Sequence, residues 1–538
     1  FVADLSRRRP ALLLELLASG NLFRSFQAGE ISADVDVALA APDADAPVVL
    51  RQARARHMLR ILWRDLNRSA ATLETVRDTS DLADACIRSA LKVAMAEQVE
   101  RFGTPVGAVS GAPQELVVLA MGKLGAHELN VSSDIDLMFA FPEAGMTRGS
   151  TRTVSNDEFF TRVGQSLIAL LDATTSEGFV FRVDMRLRPY GESGALVHNF
   201  TALEEYYQDQ GRDWERYALI KARPVTGDPA RSAELMTALK PFVFRRYIDF
   251  GVIESLRGMK RMINTEVRRR GLDGNVKLGR GGIREVEFIA QCFQLIRGGR
   301  DLGLQRRELL PVLEECVALN CLPEQVGTEL REAYLFLRDT EHAIQGWLDR
   351  QTQELPTDDL PRLALAVALG FDDWDSYRAA LAAHRERVSA HFMALIEPPE
   401  EETDTAAEPD DWSLALSKQN LAALGYQHVE DTLAELLKLR ANPRIATLQP
   451  QGRARLDQFM PRLLAACAET DAPDLALARL LPLVVAVVRR SAYLALLLEN
   501  PPALGELAAL CGASPWIAEQ LARNPVLLDE LLDRASLY

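Results

Sequence analysis

Glu115–Phe141, ELVVLAMGKLGAHELNVSSDIDLMFAF, is the stretch on which the reading of this chain turns. Leu116 to Ala120 is a β-branched and aliphatic run, short enough for a buried strand. A turn containing Gly122 and Gly125 follows, then a polar bend from Asn130 to Ser133. The chain next enters a second apolar run, interrupted by Asp134 and Asp136. Side chains two apart on a strand leave the same face, with backbones roughly 6–7 Å apart. Both carboxylates therefore share one side, while Ile135 and Leu137 enter the core on the other. Two like charges buried together are costly unless a cation neutralises them. Hard oxygen ligands with open positions suit Mg²⁺, which keeps waters and substrate phosphates as its other ligands.

A third carboxylate fits the same scheme. In Gly178 to Pro189, GFVFRVDMRLRP, the residues Phe179, Phe181, Val183, Met185 and Leu187 alternate with Val180, Arg182, Asp184, Arg186 and Arg188. The pattern predicts one strand with an apolar face and a face that is polar from Arg182 onward. Asp184 among three arginines suits a metal beside anionic phosphate oxygens. The plain alternative is a half-exposed strand with a charge ladder. The glycine turn and the Asp pair together favour chemistry.

Composition bounds the rest. With 538 residues, the chain is long enough for two or more domains with sizeable cores. Hydrophobic content of 48% and charged content of 25% are those of an ordinary globular protein. No apolar run approaches membrane-spanning length, and no signal-peptide pattern opens the chain. Phe1 rather than Met stands first, and Tyr538 closes the chain just after an apolar run expected to be helical, so both ends read as cuts within a longer protein. A net charge of −15 argues against non-specific affinity for nucleic acid or anionic membrane. The six cysteines are scattered without a CxxC pair, which argues against a disulfide framework or zinc site and for a reducing cytoplasm.

Five regions are expected. Residues 1–104 read as helices, and Gly103 to Pro113 as a connector. Residues 105–240 form the catalytic module, with a mixed sheet. Within it, Ser155 and Glu158 make a capping box ahead of an apolar stripe of Phe159, Val163, Leu167 and Leu170. Arg212, Arg216, Lys221 and Arg223 cluster near Trp214 and Tyr217, either as a phosphate or base contact or as a solvated helix face. Residues 241–396 are helical and include the basic stretch Arg245 to Arg270. There Lys277–Gln291, KLGRGGIREVEFIAQ, sets glycines just before a helix, an arrangement suited to phosphate. Residues 397–411, EPPEEETDTAAEPDD, are too polar to bury a core and read as a linker. Residues 412–538 are rich in Leu and Ala and read as a helical domain, with Asn500-Pro501 and Asn524-Pro525 as helix starts. The class is α+β and mostly helical overall.

A glycine-containing turn, Ser-Asp-x-Asp on a strand, and a third Asp on a later strand resemble the nucleotidyltransferase superfamily that includes DNA polymerase β. Longer strings are more specific: GKLGAHELNVSSDIDL (Gly122–Leu137), FVFRVDMRLRPYGESG (Phe179–Gly194), GRDWERYALIKAR (Gly211–Arg223), FVFRRYIDF (Phe242–Phe250) and KLGRGGIREVEF (Lys277–Phe288). They resemble the bifunctional glutamine synthetase adenylyltransferase/adenylyl-removing family over nearly the whole chain. That family carries two nucleotidyltransferase domains, and this chain shows one Asp-x-Asp motif. The wording Glu-Leu-Asn then Ser-Ser-Asp-Ile-Asp (Glu128 to Asp136) is similar to the N-terminal, adenylyl-removing half. Ala126 departs from the second glycine of many relatives, which an alanine tolerates unless φ is positive.

The resemblance implies phosphorolysis of adenylylated tyrosine on glutamine synthetase, releasing ADP. It implies Asp134, Asp136 and Asp184 as catalytic residues and ligands of two Mg²⁺ ions. The ions would lie about 3.5–4 Å apart. Gly122, Lys123, Gly125, Ser132, Ser133, Arg182, Arg186 and Arg188 are then the phosphate and nucleotide contacts. Partners would be glutamine synthetase, the PII signalling protein, phosphate and ADP/AMP, without nucleic acid or membrane. The alternatives are ATP-dependent adenylylation, and a non-catalytic docking module for PII and glutamine synthetase.

Overall fold

A computed structural model describes residues 1–244 and 274–396 and, with short gaps, 417–523. The basic stretch Arg245 to Arg270, the acidic linker Glu397 to Asp411 and the Asn500 and Asn524 caps lie outside the described residues. The chain divides into two compact units: Phe1–Phe244 with Lys260–Leu395, and Arg245–Met259 with Ile396–Tyr538.

The first unit is α+β. Its main sheet has β2 (Val117–Ala120), β3 (Ile135–Phe141), β5 (Val183–Asp184), β6 (Val197–Asn199) and β7 (Arg223–Pro224). β2 pairs antiparallel with β3 and with β7, while β5 and β6 each run parallel to β3, so the sheet is mixed. All four residues of β2 are buried, as its aliphatic run predicts. A separate ladder joins β1 (Thr104–Gly107) to β4 (Gly145–Arg148), so the expected connector holds a strand. Ser155 caps the helix Asn156–Asp172, its side chain accepting from Glu158 N–H. Phe159, Val163 and Leu167 of that helix are fully buried on the sheet.

One apolar core runs from the helices Ala46–Leu66 and Thr72–Phe102 into the sheet, joining Leu82 and Ile87 to Val118, Phe139 and Phe159. The described residues up to Leu395, expected as three regions, therefore pack within one unit, because the N-terminal helices cover the strands. Further helices, Ile283–Arg297, Glu324–Leu348 and Trp374–Ile396, complete it. FDDWD (Phe371 to Asp375) starts the last of these, with Asp373 accepting from Ser376 N–H at 2.8 Å.

The second unit is helical throughout its described part, from Lys418–Ala423 to Pro515–Arg523. Its core is built from leucines such as Leu436, Leu463, Leu480 and Leu507. Among the described residues, no helix is long and apolar enough to cross a membrane.

Candidate active site

The Asp pair sits where β3 begins. Asp134 precedes the strand and Asp136 is its second residue; both are half-buried, while Ile135 and Leu137 are fully buried on the opposite side. The decisive pairing is parallel: Ile135 is registered on Val183, and Asp136 on Asp184. Directly paired residues in a ladder send their side chains to the same face. Asp184 thus joins the other two carboxylates. The ladder is only two residues long, however, and Val180 and Phe181 are both buried. The strand expected over Gly178 to Pro189 is corrected to this short contact. The residues on either side leave the alternation because the chain must pack Val180 and Phe181 against the end of the Asn156–Asp172 helix, where Leu171 O accepts from both N–H groups.

Burial, with the neighbouring charges of Asp134 and Asp184, pushes the Asp136 carboxyl up to about 7. Asp184 is held below the usual carboxylate range chiefly by the Arg186 side chain. The Arg186 Nε donates to both Asp184 oxygens, at 3.0 and 2.8 Å, and its N–H donates to Oδ1 at 2.8 Å. With Asp184 turned to Arg186, no three carboxylate, imidazole or thiolate groups among the described residues close into a metal cage. The donor chemistry still suits a hard divalent cation: three carboxylates on one face, the central one short of positive charge.

The glycine turn folds as a single helical turn, Gly122–Gly125. Gly122 has φ +53, and an added Cβ would lie 2.5 Å from Asp136 Oδ2. It is the glycine that admits the carboxylate. Gly125 serves a different purpose. Its Cβ would lie 2.0 Å from Lys221 O, so it permits close packing of two backbone segments. Ala126 has φ −79, an ordinary conformation for alanine, so the missing second glycine costs nothing. Replacing Gly122 by Ala is expected to lower turnover about 100-fold by displacing Asp136. The strained φ would cost only about 1–2 kcal/mol of stability. Parallel rate and urea-denaturation measurements check this, and a stability loss without a rate loss would count against the role.

The other expected contacts separate. Ser132 is buried; its N–H donates to Gln345 Oε1 at 3.2 Å, and its carbonyl and hydroxyl accept from Arg182 Nη2 at 2.6 and 3.0 Å. Arg182 therefore fastens the loop ahead of Asp134. Ser133 is half-buried, with its N–H on Asn130 O at 3.4 Å. Arg188 is spent on its own turn, donating to Met185 O, Glu192 O and Gly194 O. Lys123 does not face the cleft: it is buried, with Nζ 3.1 and 2.9 Å from the Glu341 oxygens. The reading of Arg188 and Lys123 as ligand contacts is corrected to structural roles, since their donors already have internal acceptors.

Lys123 belongs to a buried polar network that sequence reasoning missed. Arg338 donates to Tyr334 Oη at 2.6 Å, to Glu128 O at 2.7 Å and to Asn130 Oδ1. Lys221 bonds Glu287 at 2.9 Å, with Glu128 Oε2 3.6 Å away. Burial opposes the Glu341 charge, but Lys123 and Arg338 hold its carboxyl at about 2. The basic cluster near Trp214 is split: Arg212 is exposed, whereas Arg216, Lys221 and Arg223 are held by internal acceptors. Arg216 is buried with Nε on Val243 O at 2.8 Å, and Arg223 grips Asp84 at 2.8 Å. Glycine amides before the Ile283–Arg297 helix are also spoken for. Gly281 N–H donates to Glu285 Oε2, Gly282 N–H to Gly279 O, Ile283 N–H to Val276 O and Arg284 N–H to Lys277 O. An anion at that helix terminus would have to displace them.

Comparison with known proteins bears on this geometry. Residues 1–238 match the family described as glutamate-ammonia ligase adenylyltransferase, and residues 257–396 match one described as GlnD PII-uridylyltransferase. A bifunctional glutamine synthetase adenylyltransferase/adenylyl-removing enzyme of Pseudomonas putida is 54% identical over all of this chain. The chain belongs to that bifunctional family. Proteins of the same name from Nitrosococcus oceani and Hahella chejuensis are 50% and 51% identical, over 100% and 99% of this chain. These matches take in 56%, 57% and 56% of the respective relatives, so the chain spans a little over half their length. The motif strings that carried the resemblance fall largely within the two matched segments.

Proposed function

We propose that this chain removes AMP from the adenylylated tyrosine of glutamine synthetase by phosphorolysis, on a polymerase β-like nucleotidyltransferase domain. The register of Asp136 on Asp184 supports this best, because it gathers three carboxylates on one face beside a glycine that makes room for them. Family membership supports the substrate, since the relatives' names pair adenylyl transfer with adenylyl removal on glutamine synthetase. The Glu-Leu-Asn and Ser-Ser-Asp-Ile-Asp wording (Glu128 to Asp136) favours the removing half.

Asp134, Asp136 and Asp184 would hold Mg²⁺. When bound, it supplies Lewis-acid stabilisation of the phosphoryl and departing oxygens. An oxygen of inorganic phosphate attacks the adenylyl phosphorus, the bond to the tyrosyl oxygen breaks, and ADP leaves. The tyrosyl oxygen then takes a proton from water; with a phenol pKa of about 10, it leaves more readily than an alkoxide. Arg186, exposed beside Asp184, offsets repulsion between the two anions. Arg182 keeps the Ser132 segment in place, so that Asp134 enters at a fixed position. The six cysteines, scattered without a CxxC pair, accord with a reducing cytoplasm as the working compartment.

ATP-dependent adenylylation is the second reading, because the relatives' names carry both activities. Two mixtures separate them: adenylylated synthetase with phosphate and Mg²⁺, and unmodified synthetase with ATP and Mg²⁺. Release of ADP in the first mixture alone is expected. Reaction in the second alone would reverse the assignment.

A further inference from the structure

The cations around the three carboxylates are nearly all committed. Lys123 is bound to Glu341, Lys221 to Glu287, Arg338 to Asn130 and Glu128 O, Arg182 to Ser132, and Arg188 to its own turn. Arg186 is closed on Asp184. Lys277 differs. It is half-buried, and its ammonium makes no hydrogen bond or ion pair among the described residues. Its turn opens the Ile283–Arg297 helix, whose Glu287 bonds Lys221, and the Lys221 carbonyl lies against Gly125 of the turn that seats Asp136; the Lys277 charge acts on Asp136, Glu287 and Glu341 alike.

The backbone that presents Lys277 is tightly fixed. Its N–H donates to Asn275 Oδ1 at 3.0 Å, and its carbonyl accepts from Arg284 N–H at 3.1 Å. Asn275 Nδ2 is anchored on Glu354 Oε1 at 2.8 Å, and Val276 N–H on Gln353 O at 2.9 Å. On the other side, Gly281 (φ +69) lets the turn lie against the Trp374–Ile396 helix: an added Cβ would stand 1.9 Å from Arg385 O. The glycines thus serve to seat the turn, and the lysine is what the turn delivers. A pre-positioned ammonium with no acceptor among the described residues, beside acids that must not repel an incoming anion, is suited to phosphate.

Resting on the phosphorolysis reading, we propose that Lys277 binds the attacking inorganic phosphate, which becomes the β-phosphate of ADP, and holds it against the carboxylate face. A role limited to balancing the network's charge would alter stability without singling out one substrate. A phosphate contact raises KM for phosphate and leaves KM for the protein substrate alone.

The test uses the chain with adenylylated synthetase, Mg²⁺ and varied inorganic phosphate, for wild type, Lys277→Met, Lys277→Gln and Lys277→Arg. KM for phosphate should rise about 20-fold or more in Met and Gln and largely recover in Arg, with KM for the synthetase unchanged. Calorimetric binding of Mg·ADP supplies a second readout that needs no turnover, with about tenfold weakening expected in Met and Gln. An unchanged phosphate KM in folded variants overturns the role of Lys277 and leaves phosphorolysis standing. A wild type that binds Mg·ADP but releases no ADP with phosphate overturns phosphorolysis. In that case unchanged Mg·ADP affinity in Lys277→Met overturns the lysine as well. Should Met fail to fold, Gln and Arg give the same comparison.

Discussion

Asp136→Asn is expected to abolish turnover, by about 1000-fold or more, while making the metal-free chain more stable at pH 8. The sign follows from the carboxyl being pushed up to about 7 by burial, Asp134 and Asp184, from an ordinary value of 3.8. Below pH 4 both folded and unfolded chains hold this proton, and the group has no effect on stability. Between about 4 and 7 the unfolded chain releases a proton that the folded chain retains, so stability falls as pH rises. Above 7 the deficit is complete. Asparagine keeps the shape without the charge, so the variant escapes a penalty on the order of 2 kcal/mol, once partial exposure is discounted. Thermal melts in chelator at pH 5 and pH 8 measure it. Saturating Mg²⁺ should then raise Tm for the wild type at pH 8 and leave the variant nearly unmoved. An Asn variant less stable than wild type at pH 8 in chelator would show that the three charges do not oppose one another.

Glu341→Ala carries the second large effect. It leaves Lys123 and Arg338 buried without their anion, and breaking such a pair from one side costs about 3–5 kcal/mol. Removing both ends, as in Lys123→Met with Glu341→Met, is expected to restore most of that loss, since apolar side chains of similar size avoid the desolvation cost. Denaturant midpoints decide it. A single variant within about 1 kcal/mol of wild type would mean that water reaches the pair. The double variant also tests whether Lys123 is purely structural: nucleotide affinity should survive its loss.

The sequence exposed the strands and the acids, but not what the basic residues bind. β2 and the Asp pair were readable because a short aliphatic run and a two-residue spacing are local signals. The strand around Asp184 was overextended for the same reason: alternation predicts a ladder, but only Val183 and Asp184 find a partner on β3. The lysines and arginines misled more seriously. Lys123 meets Glu341 across 218 positions, and Arg338 meets Glu128 across 210. No local pattern distinguishes a lysine awaiting a phosphate from one already bound to a distant carboxylate. A signal did exist on the far side. Arg338, Glu341 and Gln345 fall at helical spacing on one face of the Glu324–Leu348 helix, and all three are buried. A polar stripe among leucines and alanines of this kind is read best as one half of an interior network.

The Glu324–Leu348 helix also bears on how the site comes into being. It holds the Glu128, Asn130 and Ser132 segment through Arg338 and Gln345. Those anchors are translated roughly two hundred residues after the loop they fasten. A ribosome therefore releases all three aspartates and the strands of the described sheet well before the final clasp exists. Newly made chain is expected to stay inactive until that helix has emerged and docked, and a fragment ending soon after β7 would keep the aspartates yet lack the means to hold them still.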